Sequence, residues 1–107
     1  MSTLQAFNPV WGSAKQLVGA AGEVVQAYAL APVGASPPQL LMTNDGTVNV
    51  RVRVSPVTDT RAAGVGDMLI LANTQVVVTV NLFEPFNVRL AAGATGSTLD
   101  VIQGSGF

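Results

Sequence analysis

The chain of 107 residues contains neither histidine nor cysteine. It therefore lacks the side chain most used to move protons near neutral pH, and the common thiolate nucleophile. Ser–His–Asp and Cys–His constellations are excluded, as are zinc sites of the usual ligand types and any disulfide framework. Charge is sparse as well: five Lys and Arg against six Asp and Glu, 10% of the residues, for a net charge of −1. Ordinary soluble domains carry roughly a quarter charged residues. Five scattered cations do not make the clustered surface that neutralises nucleic-acid phosphates, so no nucleic-acid partner is expected. No apolar run approaches the ~20 residues of a membrane-spanning helix, so no membrane partner is expected either. The first residues lack the basic and continuous apolar regions of a signal peptide, and Lys15 arrives too late to supply one. The expectation is a soluble protein made and used without secretion.

The six carboxylates, Glu23, Asp45, Asp59, Asp67, Glu84 and Asp100, are mostly isolated at expected turns and strand ends. Paired carboxylates can do acid–base work, but this spacing suits turn chemistry and solubility. A calcium ion would need loop oxygens such as those of Asp59 and Asp67, and nothing matches an EF-hand loop. Gly93-Ala94-Thr95-Gly96-Ser97-Thr98 resembles a phosphate loop in its glycines, but the lysine that would reach a phosphate is missing. That segment reads as a hairpin turn. Gly64-Val65-Gly66-Asp67 is too short for a dinucleotide fingerprint. No catalytic residue, cofactor or metal site is expected, and an enzyme is the least expected outcome.

What the chain has in abundance is valine, at 17 positions. β-Branched side chains favour pleated surfaces. The clearest case follows Asp45-Gly46: Val48, Val50, Val52 and Val54 alternate with Asn49, Arg51 and Arg53, the period of a strand with one dry and one polar face. Asp-Gly is a strong hairpin signal, because glycine supplies positive φ, so Gln39–Asn44 and Val48–Ser55 are expected to pair across it. Further strands are expected at Ser13–Gly19, Glu23–Ala31, Met68–Leu71, Gln75–Asn81, Phe86–Leu90 and Ser97–Gln103. A helix across Lys15–Leu30 is disfavoured by two internal glycines. Pro32 to Pro38 reads as a loop, and Pro56–Gly66 as a longer flexible connection.

Residues 1–12 read as an irregular arm and 13–107 as one domain: all-β, an antiparallel β-sandwich of about eight short strands, with a jelly roll as the expected topology. The expected core is Val48, Val50, Val52, Val54, Val76, Val78, Val80, Phe86, Val88 and Leu90.

Two features point to interaction. Arg51, Arg53 and Arg89 fall on the polar phase of two strands, and in one sheet they would form a modest basic patch suited to carboxylates. The alternative is a solvated outer face. On the arm, Phe7, Pro9 and Trp11 place aromatic rings on irregular backbone, a common form of interface anchor; the alternative is that they plug one end of the sandwich. So mild a surface also suits burial against partners.

The layout as a whole resembles the small all-β virion proteins of tailed bacteriophages, particularly capsid decoration or cement proteins. The likeness lies in the arm with Phe7-Asn8-Pro9 and Trp11-Gly12-Ser13, the Asn44-Asp45-Gly46-Thr47 turn feeding a Val-rich strand, and the closing Gly104-Ser105-Gly106. That resemblance implies a structural protein of the virion surface, made in the host cytoplasm. It would bind the major capsid protein as a homodimer or homotrimer and reinforce seams between capsid subunits, with no catalytic residues. The competing readings are a host-surface or carbohydrate-binding module of a fibre or baseplate, for which Trp11 and Tyr28 are the available stacking aromatics, and a small cytosolic sandwich of unknown partner.

Overall fold

Alternating valines and polar residues become strands wherever one face can be buried. The computed structural model describes residues 8–28, 39–80 and 84–105. They form nine strands: β1 (Asn8–Pro9), β2 (Lys15–Val18), β3 (Val24–Tyr28), β4 (Gln39–Gly46), β5 (Val50–Pro56), β6 (Met68–Ile70), β7 (Thr74–Thr79), β8 (Phe86–Leu90) and β9 (Ser97–Ser105). No helix appears among the described residues, and so none long and apolar enough to cross a membrane.

The strands form two antiparallel sheets packed as a sandwich. One runs β1-β9-β4-β7, with β2 also paired to β9; the other runs β3-β8-β5-β6. The pairing is nested in sequence: β2 with β9, β3 with β8, β4 with β7, β5 with β6. Between β2 and β9, only the step from β5 to β6 stays within a sheet; each other connection crosses from one sheet to the other.

This wiring corrects the expected hairpin at Asp45-Gly46. β4 already has β9 on one edge and β7 on the other, so β5 cannot pair with it. Asp45 and Gly46 continue β4, opposite Thr98 and Ser97. Gly46 serves close approach instead of positive φ: a Cβ built there would lie 2.4 Å from Ser97 Cα. The expected hairpin at 93–98 is corrected in the same way, since it joins β8 to β9 across the sheets; here Gly93 and Gly96 do take positive φ, 86° and 101°.

The core holds Val50, Val52, Val80, Phe86, Val88 and Leu90 as expected, joined by Leu17, Tyr28, Leu40, Met42, Leu99 and Val101 from the other strands. Val54 and Val76 pack against it half-buried, and Val48 and Val78 are half-buried. The reason is position: Val48 lies on the crossing before β5, and Val76 and Val78 lie on β7, the last strand of its sheet. Tyr28 stacks on Phe86 across β3 and β8, centroids 5.5 Å apart and planes 7° from parallel. Its hydroxyl donates to Val101 O at 3.4 Å, joining the two sheets. Burial, with Asp100 adding to it, pushes the phenol well above its ordinary pKa.

The arm is less irregular than expected. Asn8 and Pro9 pair with Ser105 and Gly104 of β9. Pro9 is tolerated because β1 is an edge strand, where a missing N–H breaks no ladder. Val10 N–H donates to Gln103 O at 2.7 Å, and Ser13 Oγ donates to Val10 O at 2.6 Å while accepting from Gln103 N–H at 3.1 Å.

Candidate functional site

Arg51, Arg53 and Arg89 do share one face, as their strand phases require. β5 and β8 are neighbours, and Arg53 stands directly opposite Arg89 in their register. They do not form a free basic patch, however. The 57–67 connection folds over the outside of this sheet, and the guanidinium groups hold it there. Arg53 binds Asp59 with Nη2 and Asp67 with Nη1, each at 2.8 Å. Arg89 donates to Glu23 Oε1 at 2.8 Å and to Asp59 O at 3.2 Å. Arg51 donates to the carbonyls of Val65 and Asp67 at 3.3 and 3.1 Å. Glu23 completes the clamp by accepting Ala63 N–H at 3.0 Å.

Asn87 and Arg89, though on the outward phase of β8, are only 9% and 8% exposed beneath this cover. The connection read as flexible is thus latched at both ends and in the middle. The cluster sets four guanidinium groups (Arg51, Arg53, Arg61, Arg89) against three carboxylates (Glu23, Asp59, Asp67), so most of its charge is satisfied internally. Arg61, on the loop itself, binds Asp59 at 2.9 Å with its side chain 76% exposed.

The acids respond accordingly. Hydrogen bonds from Arg61 and then Arg53 hold the Asp59 carboxyl far below the ordinary carboxylate range. Asp67 is lowered first by the Gly64 N–H, at 2.9 Å, and then by Arg53. The same contacts raise Arg53 and Arg61, with Asp59 the first cause for both. The two loop carboxylates that a calcium ion would need are instead engaged by Arg53. Among the described residues no group of three or more acids is placed to hold a metal.

Of the expected arm anchors, Phe7 lies outside the described residues. Pro9 is half-buried in β1, and Trp11 is 85% exposed. The ring does not plug the sandwich. It stands in solvent on backbone that Val10 and Ser13 fasten to β9. Tyr28, the other stacking candidate, is 1% exposed and belongs to the core.

Sequence reasoning missed two features. Asn44 is 1% exposed, and its amide donates to the carbonyls of Val48, Ile70 and Leu71 at 2.9, 3.2 and 3.1 Å, fastening β4 to two sheet crossings. Its polar character gave no hint, because it falls on the inward phase of an apolar strand. The second is the outer face of the β1-β9-β4-β7 sheet. There Leu41 stands opposite both Ile102 and Val77, making an apolar row across three strands. Thr43 and Gln75, joined at 2.9 Å, flank it on one side and Gln39 and Thr79, at 3.4 Å, on the other. All four arginines belong to the opposite sheet or its covering loop. The alternate phase of β4, Leu41 against Thr43 and Asp45, was the available signal.

Between β5, β6 and β7 the sandwich edge opens as a cleft of about 580 Å³, with Val52, Val54, Met68 and Val78 inside and Asp59, Arg61 and Asp67 at its rim. None of these lining groups is a nucleophile paired with a base. No family model, curated protein or solved structure matches the chain.

Proposed function

We propose that this protein is a structural component of a phage virion that binds the outside of the capsid, contacts the major capsid protein and reinforces the joints between its subunits. The observation that carries the reading is Trp11. A large apolar ring 85% exposed, on an arm strand-paired to β9, is a pre-positioned anchor for a neighbour's pocket. Its backbone is already ordered, so less entropy opposes docking.

The scaffold supports the reading. The nested pairing of β2 with β9, β3 with β8, β4 with β7 and β5 with β6 supports reading the sandwich as a jelly roll. The latched 57–67 segment adds cover to one layer, so Arg51, Arg53 and Arg89 contribute rigidity more than a docking charge. A cement protein must resist opening, because its binding free energy has to be lost before the shell can part. The carbohydrate-binding reading is weaker: with Tyr28 buried, a sugar-stacking platform would rest on Trp11 alone among the described aromatic residues.

The test uses purified shells of a candidate phage. Wild type is expected to decorate them and raise the temperature at which they release DNA, while Trp11→Ala keeps its melting temperature but binds them at least tenfold more weakly, about 1.4 kcal/mol or more, and so shows lower occupancy below saturation. Equal occupancy of both proteins would remove Trp11 as the anchor. No effect of bound wild type on opening would replace reinforcement with display, and binding to a glycan array without shell binding would favour the fibre reading.

A further inference from the structure

We propose that the free edge of β7 pairs with the same edge of a second copy across a two-fold axis, joining two sandwiches through one continuous sheet. An edge strand exposes unpaired N–H and C=O groups, and proteins normally blunt it with charge, proline or shortness. Apart from β1, a two-residue edge that carries Pro9, there are four outer strands, and three of them are blunted. β6 has three residues and lies beside Arg51. β2 begins with Lys15, whose Nζ donates to Ala27 O of β3 at 3.0 Å and so covers the third. β7, Thr74-Gln75-Val76-Val77-Val78-Thr79, has six residues with neither charge nor proline. Among the described residues it pairs with β4 alone.

Its sequence is complementary to itself. A two-fold axis normal to a sheet keeps each residue on its own face, so directly opposed residues must differ by an even number of positions. Centring the axis on Val77 sets Gln75 opposite Thr79, Val76 opposite Val78, and Val77 opposite Val77 of the second copy. Each pair is then polar with polar or apolar with apolar, and no charges meet. Centring on Val76 sets Gln75 against Val77, and centring on Val78 sets Val77 against Thr79.

The Val77 register also joins the two outer-face rows into Ile102-Leu41-Val77-Val77-Leu41-Ile102, six apolar side chains across the junction. Only an isologous, two-fold contact matches an edge to itself. The proposal narrows the homodimer-or-homotrimer expectation to a dimer and does not depend on a capsid.

The experiment uses the full chain without shells. Sedimentation equilibrium up to about millimolar concentration is expected to give twice 11.0 kDa for wild type. Val77→Lys sets two ammonium groups face to face and is expected to give a single 11.0 kDa species with unchanged circular dichroism, since Val77 points away from the core. The cysteine-free chain allows a second variant. Directly opposed Cα atoms on antiparallel strands lie ~4.5–5.5 Å apart, within disulfide reach. Oxidised Val77→Cys is therefore expected to link, while Ile102→Cys, five strand spacings or roughly 24 Å from its counterpart, does not. A wild type of 11.0 kDa throughout, a mass of three copies, a Val77→Lys protein as dimeric as wild type, or equal linking by both cysteine variants would overturn the proposal.

Discussion

Arg53 on β5 and Arg89 on β8 stand face to face in adjacent strands, and separate carboxylates answer each of them: Asp59 and Asp67 for Arg53, Glu23 for Arg89. Like charges directly opposite on a sheet are destabilising. Here the repulsion is offset by folding the 57–67 connection back over the pair. Charge on the polar phase of a strand, ordinarily left to solvent, becomes the fastening of another layer.

Asp59→Asn should loosen that layer without unfolding the sandwich. The substitution leaves Arg53 with Asp67 alone and removes the acid partner of Arg61. Trypsin cleavage after Arg61 is expected to accelerate severalfold, with a small drop in melting temperature. Asp45→Asn, at an exposed residue for which no ion pair is formed among the described residues, serves as the control. Equal cleavage rates for wild type and Asp59→Asn would show that the carboxylate does not hold the loop.

The latch should survive mild acid. Asp59 and Asp67 both have folded-state pKa values below their unfolded values of ~3.9. A lowered carboxylate contributes stability that is complete above the unfolded pKa and disappears as pH falls through the folded one. Hydrogen-exchange protection of the Gly64 amide, bound to Asp67, is therefore expected to stay level from pH 7 to about 5 and to fall only below about 4. Loss of protection between pH 6 and 5 would contradict this origin.

Gly46→Ala should cost about 2–3 kcal/mol, the upper part of the range for overpacking. The new methyl would meet Ser97 Cα at 2.4 Å and Gly96 O at 2.5 Å, backbone atoms that cannot rotate away. Gly22→Ala, where a Cβ meets nothing within 4 Å, should be nearly neutral. Chemical denaturation of both variants decides the matter; a stable Gly46→Ala protein would restore the turn reading of Asp45-Gly46.

Val52→Asp should unfold the domain. Val52 is 2% exposed between the sheets, and an unpaired carboxylate there costs more than about 4 kcal/mol, a large part of any domain's margin. Val57→Asp, at a residue 44% exposed, should be tolerated. Circular dichroism at 25 °C distinguishes them.

The amino-acid sequence by itself determined the strands and which way their side chains point. Over the described residues, expected and observed elements agree from β2 to β9 within a few residues, while the strand ends expected at 29–31 and 81 and the loop expected at Pro32 to Pro38 lie outside them. The alternations Val50-Arg51-Val52-Arg53 and Phe86-Asn87-Val88-Arg89-Leu90 place apolar residues inward and arginines outward. Both properties are local, because a period of two is read from neighbours alone. What only the tertiary structure decided is which edges meet. Asp45-Gly46 has the composition of a hairpin, yet β4 is flanked on both edges by strands from later in the chain, so β5 must cross to the other sheet. The partners of Arg53 and Arg89 were likewise not legible, because Glu23, Asp59 and Asp67 reach them only after the sheet has formed and the 57–67 segment has returned over it. Side-chain phase is set by the backbone of one strand, whereas strand order and ion pairing are settled by competition for edges and charges brought together from across the chain.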